Sequence, residues 1–285
     1  MNRDLVLATL IVALCGSAIW LAGWLPLRSR GRAAESGRAA ERRSWLALWL
    51  PLVPAAAALA ALAGWALQEP RLTDEILRPL TPLFVAPIAG LWLRAAWRAG
   101  RALAHPRVPP LAATLGLWRP RIAIDDRLAR DLDAPARQAV LAHERAHCHH
   151  RDPLRIWLAQ IASDLQWPSP QAAVRFERWR QALELARDEE AREGGVDGED
   201  LAAALIGAVR LAQRRVVSPL ATLVDGEQAL VLRVGRLLAP LRPPPAQPWR
   251  TLLALAGSLA LLAAATIFGL GHGDLLVRAL PIVAG

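Results

Sequence analysis

The sequence predicts a mainly α-helical protein, with four transmembrane helices and one helical polar domain that contains a short edge strand. Three observations support this fold class. The 285 residues are 54% hydrophobic and 21% charged, a balance that fits neither an ordinary soluble domain nor a pure bundle of membrane helices. The hydrophobic residues are concentrated in segments of roughly 20 residues, the length that crosses about 30 Å of hydrocarbon. A long polar stretch with signals for helix starts and ends lies between the third and fourth segments.

The four apolar segments define the predicted domain organisation. They are residues 5–25, 45–67, 77–97 and 251–270. The first is longer than the hydrophobic region of a usual signal peptide and is followed by arginines, so we expect a retained anchor. The third contains prolines near its start, where a membrane helix tolerates them. The predicted division is three transmembrane helices in 1–99, the polar domain in 100–249, the fourth helix in 250–271 and a short external tail in 272–285.

The distribution of arginine predicts the orientation of these helices. Residues 28–43 carry six arginines and two glutamates, and positively charged loops tend to stay in the cytoplasm. The loop after the second segment is more acidic, and arginines return after the third. This pattern places the polar domain in the cytoplasm and both termini outside.

The net charge of +9 is carried by arginine alone, since the chain has no lysine. Nucleic-acid binding would need a basic stripe on a folded face or a recognised module. Here the arginines lie beside apolar segments, which favours the lipid bilayer as a partner, with no direct nucleic-acid partner. The two cysteines, Cys15 and Cys148, indicate no disulfide framework.

The polar domain is predicted to be helical after one short strand. The alternation Arg-Ile-Ala-Ile-Asp within residues 119–125 predicts an edge strand. Asp133 has the side chain of an N-cap and Pro135 suits a first turn, so a helix is predicted from there through His147. Further helices are predicted over residues 153–166, 171–192 and 199–215.

The segment His143-Glu144-Arg145-Ala146-His147 has the HExxH form on this predicted helix. Residues four apart stand on one helix face, so both imidazoles can bind one zinc ion. Glu144 then lies close enough to take a proton from a water molecule whose pKa the zinc lowers. The pattern alone is unspecific, because three fixed positions recur by chance and a histidine pair on a helix is more often a solvated face. A third ligand is therefore needed.

A candidate third ligand, Glu184, lies 37 residues after His147 on a separate predicted helix. A catalytic zinc usually takes three protein ligands and keeps a fourth position open. The run 116–190 resembles the membrane metallopeptidases of the beta-lactam sensor and antirepressor family. The resemblance rests on Gly-Leu-Trp-Arg-Pro at 116–120, Ala-Val-Leu-Ala-His-Glu at 139–144, Arg-Asp-Pro-Leu at 151–154 and Trp-Arg-Gln-Ala-Leu-Glu at 179–184.

That resemblance implies a gluzincin-like zinc metallopeptidase domain with Glu144 as the catalytic base. It implies three zinc ligands, His143, His147 and Glu184. It also implies that Asp188 is a carboxylate partner behind the ligands. Because Asp188 lies one helical turn past Glu184, it is placed to accept the second ring N–H of a zinc-bound histidine. Asp152 could fill that role instead.

The resemblance further implies an integral-membrane endopeptidase of a bacterial-type inner membrane, which carries out regulated proteolysis of a protein substrate such as a transcriptional repressor. Sensor members of the family carry a large penicillin-binding domain after the last span, but only 14 residues follow Gly271. We therefore expect a separate sensor partner. Two alternatives stay open, a heat-shock-type membrane quality-control peptidase and a non-catalytic membrane signalling scaffold. The motifs at 118–120 and 151–153 favour the antirepressor family over the heat-shock type.

Several neighbours of the motif receive no predicted role in metal binding. His149 and His150 lie off the i, i+4 register, and Cys148 is interpreted as incidental. The family usually has a small residue or a cysteine at Arg187, a departure that does not touch a ligand position. The chain has no tyrosine, so zinc, a histidine, an arginine or backbone N–H groups must stabilise the transition-state oxyanion. Residues 122–124 either pair with an extended substrate or form a structural turn.

Overall fold

The computed structural model describes residues 35–53, 56–57, 90–101, 112–215, 223–241, 256–260, 263–264 and 267. The helices used below are α1 (Gly37–Trp49), α2 (Asp126–Asp131), α3 (Ala134–His149), α4 (Asp152–Leu165), α5 (Pro170–Glu193), α6 (Gly198–Arg215) and α7 (Leu223–Leu238). A short 3-10 turn, Leu50–Leu52, continues α1, and residues 90–101 are also helical. The strands are β1 (Ala112–Leu115) and β2 (Arg121–Ile124).

Helix α3 begins where its sequence provides a cap. Asp133 is extended, and its carboxylate accepts the backbone N–H of Ala136 at 2.9 Å, which satisfies one of the free donors of the first turn. The chain leaves the helix through Arg151, whose φ of 51° lies in the left-handed region. Both ends agree with the helix predicted from Asp133 through His147. Its buried face carries His143, Glu144 and His147 together with Ala136, Ala139, Val140 and Ala146.

Helix α5 packs against α1, α3, α4 and α7 and so connects most of the described elements. Its Trp179 is fully buried among Leu48 of α1 and the small residues Ala159 and Ala162 of α4. Alanines at the crossing let the helices approach closely, and the indole buries a large apolar surface between them. This core fixes the position of α5, the helix on which the candidate third ligand lies.

The two strands form an antiparallel sheet in which Ala112 pairs with Ile124. The turn between them needs glycine at position 116, because φ is +97° and a Cβ there would lie 2.9 Å from the carbonyl oxygen of Arg119. The sequence predicted β2 but missed β1, since Ala-Ala-Thr-Leu lacks the alternation that indicates a strand. Strand β1 packs on α3 and α4, beside the histidine motif.

The prediction of four transmembrane helices is not supported. Among the described residues, no helix is both long enough and apolar enough to cross a membrane. The predicted span 5–25 lies outside the described residues, and the spans 45–67, 77–97 and 251–270 lie only partly within them. The predicted topology, with both termini outside, depended on these helices and is therefore unsupported as well. The boundaries of the predicted domains stay a prediction.

The described part of the second predicted span shows why hydropathy was misleading. Its first residues belong to α1, which begins at Gly37 and carries charged side chains at Arg38, Glu41, Arg42 and Arg43. The apolar residues that follow face protein: Leu48 is fully buried, and the rings of Trp45 and Trp179 lie 5.1 Å apart. Hydropathy measures how apolar a segment is, but not whether another helix covers it.

Candidate metal centre

Helices α3 and α5 bring together three side chains that could hold a metal ion. The Nε2 atoms of His143 and His147 lie 3.0 Å apart. Glu184 approaches from α5, with its oxygens 3.5 Å from His143 Nε2 and 3.9 Å from His147 Nε2. One ligand atom from each residue lies within 4.8 Å of the others. The three residues predicted to bind zinc therefore converge, although Glu184 lies far from the two histidines along the chain.

Each of the two histidines has a carboxylate at its other ring nitrogen. His147 Nδ1 lies 2.8 Å from Asp152 Oδ2. His143 Nδ1 lies 2.9 Å from Asp188 Oδ1, although its N–H is poorly aligned on that oxygen. The sequence left Asp152 and Asp188 as alternatives for one role, whereas the structure places one beside each histidine.

This arrangement fits a metal ion. An ionised carboxylate only accepts hydrogen bonds, so in each neutral imidazole the hydrogen lies on Nδ1 beside the carboxylate and Nε2 is left to bind a metal. Two Nε2 atoms that face each other at 3.0 Å, with a carboxylate beside them, need a positive charge between them, which a proton on His143 or a metal ion can supply. Two imidazoles and a carboxylate with an open side form a donor set typical of catalytic zinc.

The pKa values of the site show that its carboxylates favour a positive charge beside them. Burial alone would lower the pKa of His143, but Asp188 and Glu184 outweigh it and raise that pKa to about 9. Burial would raise the pKa of Glu184, yet Arg233 and the two histidines hold it well below its ordinary value. The pKa of Asp188 is likewise lowered, against its burial, by Arg233 and His143. The carboxylates are therefore charged.

Glu144 lies beside the three converging residues and is held by a threonine that the sequence did not single out. The Thr114 hydroxyl of β1 lies 2.9 Å from Glu144 Oε2 and 3.0 Å from the Glu144 carbonyl oxygen. It has one hydrogen to donate, so it can satisfy one of these oxygens at a time. Because β1 was not predicted, nothing in the sequence placed Thr114 near the motif.

An arginine from α7 joins the site, and sequence reasoning missed this residue too. Arg233 donates from Nε and Nη2 to the Asp188 carboxylate, both at 2.8 Å. Its Nη1 lies 3.1 Å from Glu184 Oε2. These two carboxylates hold the pKa of Arg233 above its ordinary value despite burial. Only tertiary packing brings α7, 45 residues after Asp188, to this side of α5.

Three further residues near the motif, His150, Cys148 and Arg187, have the following contacts. His150 Nε2 is paired with Glu190 Oε2 at 2.8 Å on the surface. Cys148 Sγ lies 3.6 Å from the Thr114 hydroxyl. Arg187, the family departure noted from the sequence, is buried and contacts Asp152.

The site opens into a groove of about 740 Å³, a size usual for ligand and substrate clefts. Strand β1 forms one wall. An apolar wall comes from α6 and α7, with Leu201, Ala204, Leu205, Ala208, Val209, Ala229, Leu230 and Leu232. Polar residues of α5, including Glu177, Arg180 and Gln181, line another side. The groove has room for a segment of peptide chain.

A buried pair of histidines converging with a glutamate in an open groove is the kind of site that metallopeptidases have. A comparison with family models agrees: residues 109–235 match the family described as BlaR1 peptidase M56. This match supports an assignment of the region to the BlaR1-type metallopeptidases, a family whose members are membrane-associated. The resemblance identified from the sequence is confirmed. Comparisons with curated proteins and with solved structures gave no significant match.

Proposed function

We propose that this protein is a zinc-dependent endopeptidase in which His143, His147 and Glu184 bind the metal and Glu144 is the general base. The observation that carries the proposal is the convergence of the two Nε2 atoms beside Glu184, while each Nδ1 atom lies next to a carboxylate. The family match supports the class of reaction.

Bound zinc would polarise the scissile carbonyl and lower the pKa of a water molecule toward about 7. Glu144, which is largely buried, stands next to the ligands with one oxygen held by Thr114. Its second oxygen is left to take the proton from water and then to deliver it to the leaving amine. Asp152 and Asp188 fix the ring orientation of the two histidines.

We propose that the substrate is a protein, bound as an extended segment along β1. All four β1 residues line the groove, whereas no residue of β2 does. The sequence offered residues 122–124 as one possible strand for pairing with the substrate, and we propose β1 for that role instead. An extended peptide can add to a strand through main-chain hydrogen bonds. The apolar wall of α6 and α7 favours an apolar substrate side chain.

The resemblance to the antirepressor family supports regulated cleavage of a transcriptional repressor as the biological role. The membrane association of BlaR1-type peptidases supports action at a membrane face. A heat-shock-type quality-control role would instead give cleavage of many unfolded membrane proteins. A signalling scaffold would bind no catalytic metal or would cleave nothing.

The direct test measures zinc and cleavage on the purified full chain and three variants. Elemental analysis should find one zinc per chain in the wild type and a loss in Glu184→Ala. β-Casein, an unstructured protein, serves as a general cleavage probe, and Glu144→Gln should retain zinc but abolish cleavage. His149→Ala is the matched control, because it removes a neighbouring exposed histidine of the same helix.

Zinc that stays in Glu184→Ala would remove that residue from the ligand set. Cleavage that survives in Glu144→Gln would remove Glu144 as the base. A wild-type chain that binds no zinc under zinc-replete conditions would end the peptidase proposal in favour of the scaffold.

A further inference from the structure

A cluster of charged side chains lies at Nδ1 of His147, the ring nitrogen that does not face His143. At its centre is Asp152, which is fully buried. Its Oδ2 contacts His147 Nδ1 at 2.8 Å and Arg187 Nε at 2.5 Å. Its Oδ1 contacts Arg187 Nη2 at 3.0 Å and Arg155 Nη1 at 3.1 Å. Both carboxylate oxygens therefore have two partners each.

Arg187 is the closest of these partners and the most deeply buried cation. Only 2% of its surface is exposed, and two of its nitrogens grip the Asp152 carboxylate as a fork. It lies between Glu184 and Asp188 along α5, and its contacts are with Asp152 and Glu190. One helix thus supplies a candidate ligand and this fork.

A bidentate fork fixes the plane of a carboxylate, because two parallel hydrogen bonds leave it no free rotation. The imidazole of His147 follows the oxygen that accepts its Nδ1 hydrogen. If the fork is removed, Asp152 keeps one arginine contact from Arg155 on the other oxygen. The Oδ2 atom that holds His147 then has no second partner to keep it in place.

We propose that Arg187 is a positioning residue for the metal centre, which fixes the ring of His147 by clamping Asp152. This inference rests on the proposed zinc function. Arg187 does not line the groove, so it has no contact with a substrate bound there. Its effect is expected on metal binding and on the geometry around the metal.

The experiment compares Arg187→Met, Arg187→Lys and a control in the full chain. Arg175→Met is the matched control, since Arg175 is an equally buried arginine on the same helix whose Nη2 donates to Gln166 at 2.6 Å, away from the histidines. Zinc affinity is measured by competition with a chromophoric chelator. Visible spectra of the cobalt(II)-substituted proteins report the symmetry around the metal, and thermal unfolding of the metal-free proteins reports folding.

In Arg187→Met, zinc affinity should fall by roughly 10- to 100-fold, the loss usual when the partner behind a ligating histidine is disturbed. Its cobalt spectrum should shift. Arg187→Lys keeps the charge without the fork and should recover only part of the affinity. The Arg175→Met variant should keep wild-type zinc affinity and the wild-type spectrum even if its unfolding temperature falls as much.

Wild-type zinc affinity and an unshifted cobalt spectrum in a folded Arg187 variant would overturn the positioning role while leaving the zinc function intact. An equal loss of affinity in Arg175→Met would overturn it as well, because the effect would then follow general destabilisation. If Arg187→Met does not fold, the decision passes to Arg187→Lys, where full wild-type affinity contradicts the proposal. A wild-type chain without zinc removes the proposed function and this inference together.

Discussion

The two histidines of the candidate metal centre are supported in similar ways but from different surroundings. Behind His143 stands Asp188, clamped by Arg233, and behind His147 stands Asp152, clamped by Arg187. Arg233 of the first clamp lines the groove, and its side chain is 18% exposed. The second clamp is enclosed, with Arg187 2% exposed. The two arginines therefore differ, since Arg233 borders the groove and Arg187 lies in the protein interior.

The enclosed half continues into α1 through Arg155. That residue contacts Asp152 on one side and is paired with Glu41 of α1 on the other. Its guanidinium also lies over the rings of Trp45 and Trp179, at 5.1 Å and 5.9 Å from the centroids. The helix between residues 37 and 49 therefore contacts the network that holds His147, whereas no such connection reaches His143 in the described residues.

The largest expected difference between the halves is in stability. Asp152→Asn leaves two arginines in enclosed surroundings without their full counter-charge, so the free energy of unfolding should fall by about 3–5 kcal/mol. Asp188→Asn should cost less, because Arg233 reaches the groove and keeps Glu184 as a partner. Chemical denaturation of the metal-free proteins compares the two. Equal losses would mean that the enclosed and open halves do not differ.

The next difference is in catalysis. Arg233→Met removes the cation that faces the groove beside Glu184, so negative charge developing on a substrate is less stabilised. We expect kcat for casein cleavage to fall roughly 100-fold at saturating zinc. Arg180→Met is the control, since Arg180 also lines the groove but pairs only with Glu177 on its own helix among the described contacts. Similar losses in both variants would indicate a general charge effect.

A smaller effect is expected where α1 meets α5. A Cβ at Gly37 would lie 2.6 Å from the backbone carbon of Leu185, so Gly37→Ala should lower the free energy of unfolding by about 1–3 kcal/mol. Gly90→Ala serves as its control, because nothing lies within 4 Å of the added carbon. Thermal unfolding compares the stability of the two variants with that of the wild type. An unchanged Gly37→Ala protein would show that α1 does not pack closely on α5.

The smallest effect is expected at the far end of the enclosed network. Glu41→Gln weakens the pairing with Arg155 but keeps a neutral acceptor, so the free energy of unfolding should fall by about 1 kcal/mol. Zinc affinity should fall only slightly, because Asp152 keeps its fork from Arg187. Titration with a competing chelator measures this. A loss as large as that expected for Arg187→Met would make α1 a principal support of the metal centre.

The sequence predicted what depends on local chemistry. The start of α3 follows from the capping carboxylate of Asp133, and the i, i+4 spacing places His143 and His147 on one face. The approach of Glu184 was implied by the family resemblance and could not follow from spacing. The roles of these residues as ligands stay a prediction, although the structure brings them together.

What the sequence did not reveal depends on tertiary packing. Thr114 lies on a strand without alternation, and Arg233 lies on a helix that reaches the site only through packing on α5 and α6. The membrane helices were predicted from hydropathy, which cannot distinguish apolar residues covered by another helix, such as Leu48, from those facing lipid. Arg187 departs from the residue types usual in the family, but its contact with Asp152 depends on tertiary packing and could not be predicted from the sequence.

The most direct test of the account is X-ray absorption at the zinc edge of the full chain, recorded for the wild type and for Glu184→Ala. The account predicts two imidazole nitrogens at about 2.0–2.1 Å and carboxylate oxygen at about 2.0–2.2 Å, with the oxygen contribution reduced in the variant. A sulfur scatterer at about 2.3 Å, which Cys148 would supply, or a spectrum unchanged in Glu184→Ala would contradict it.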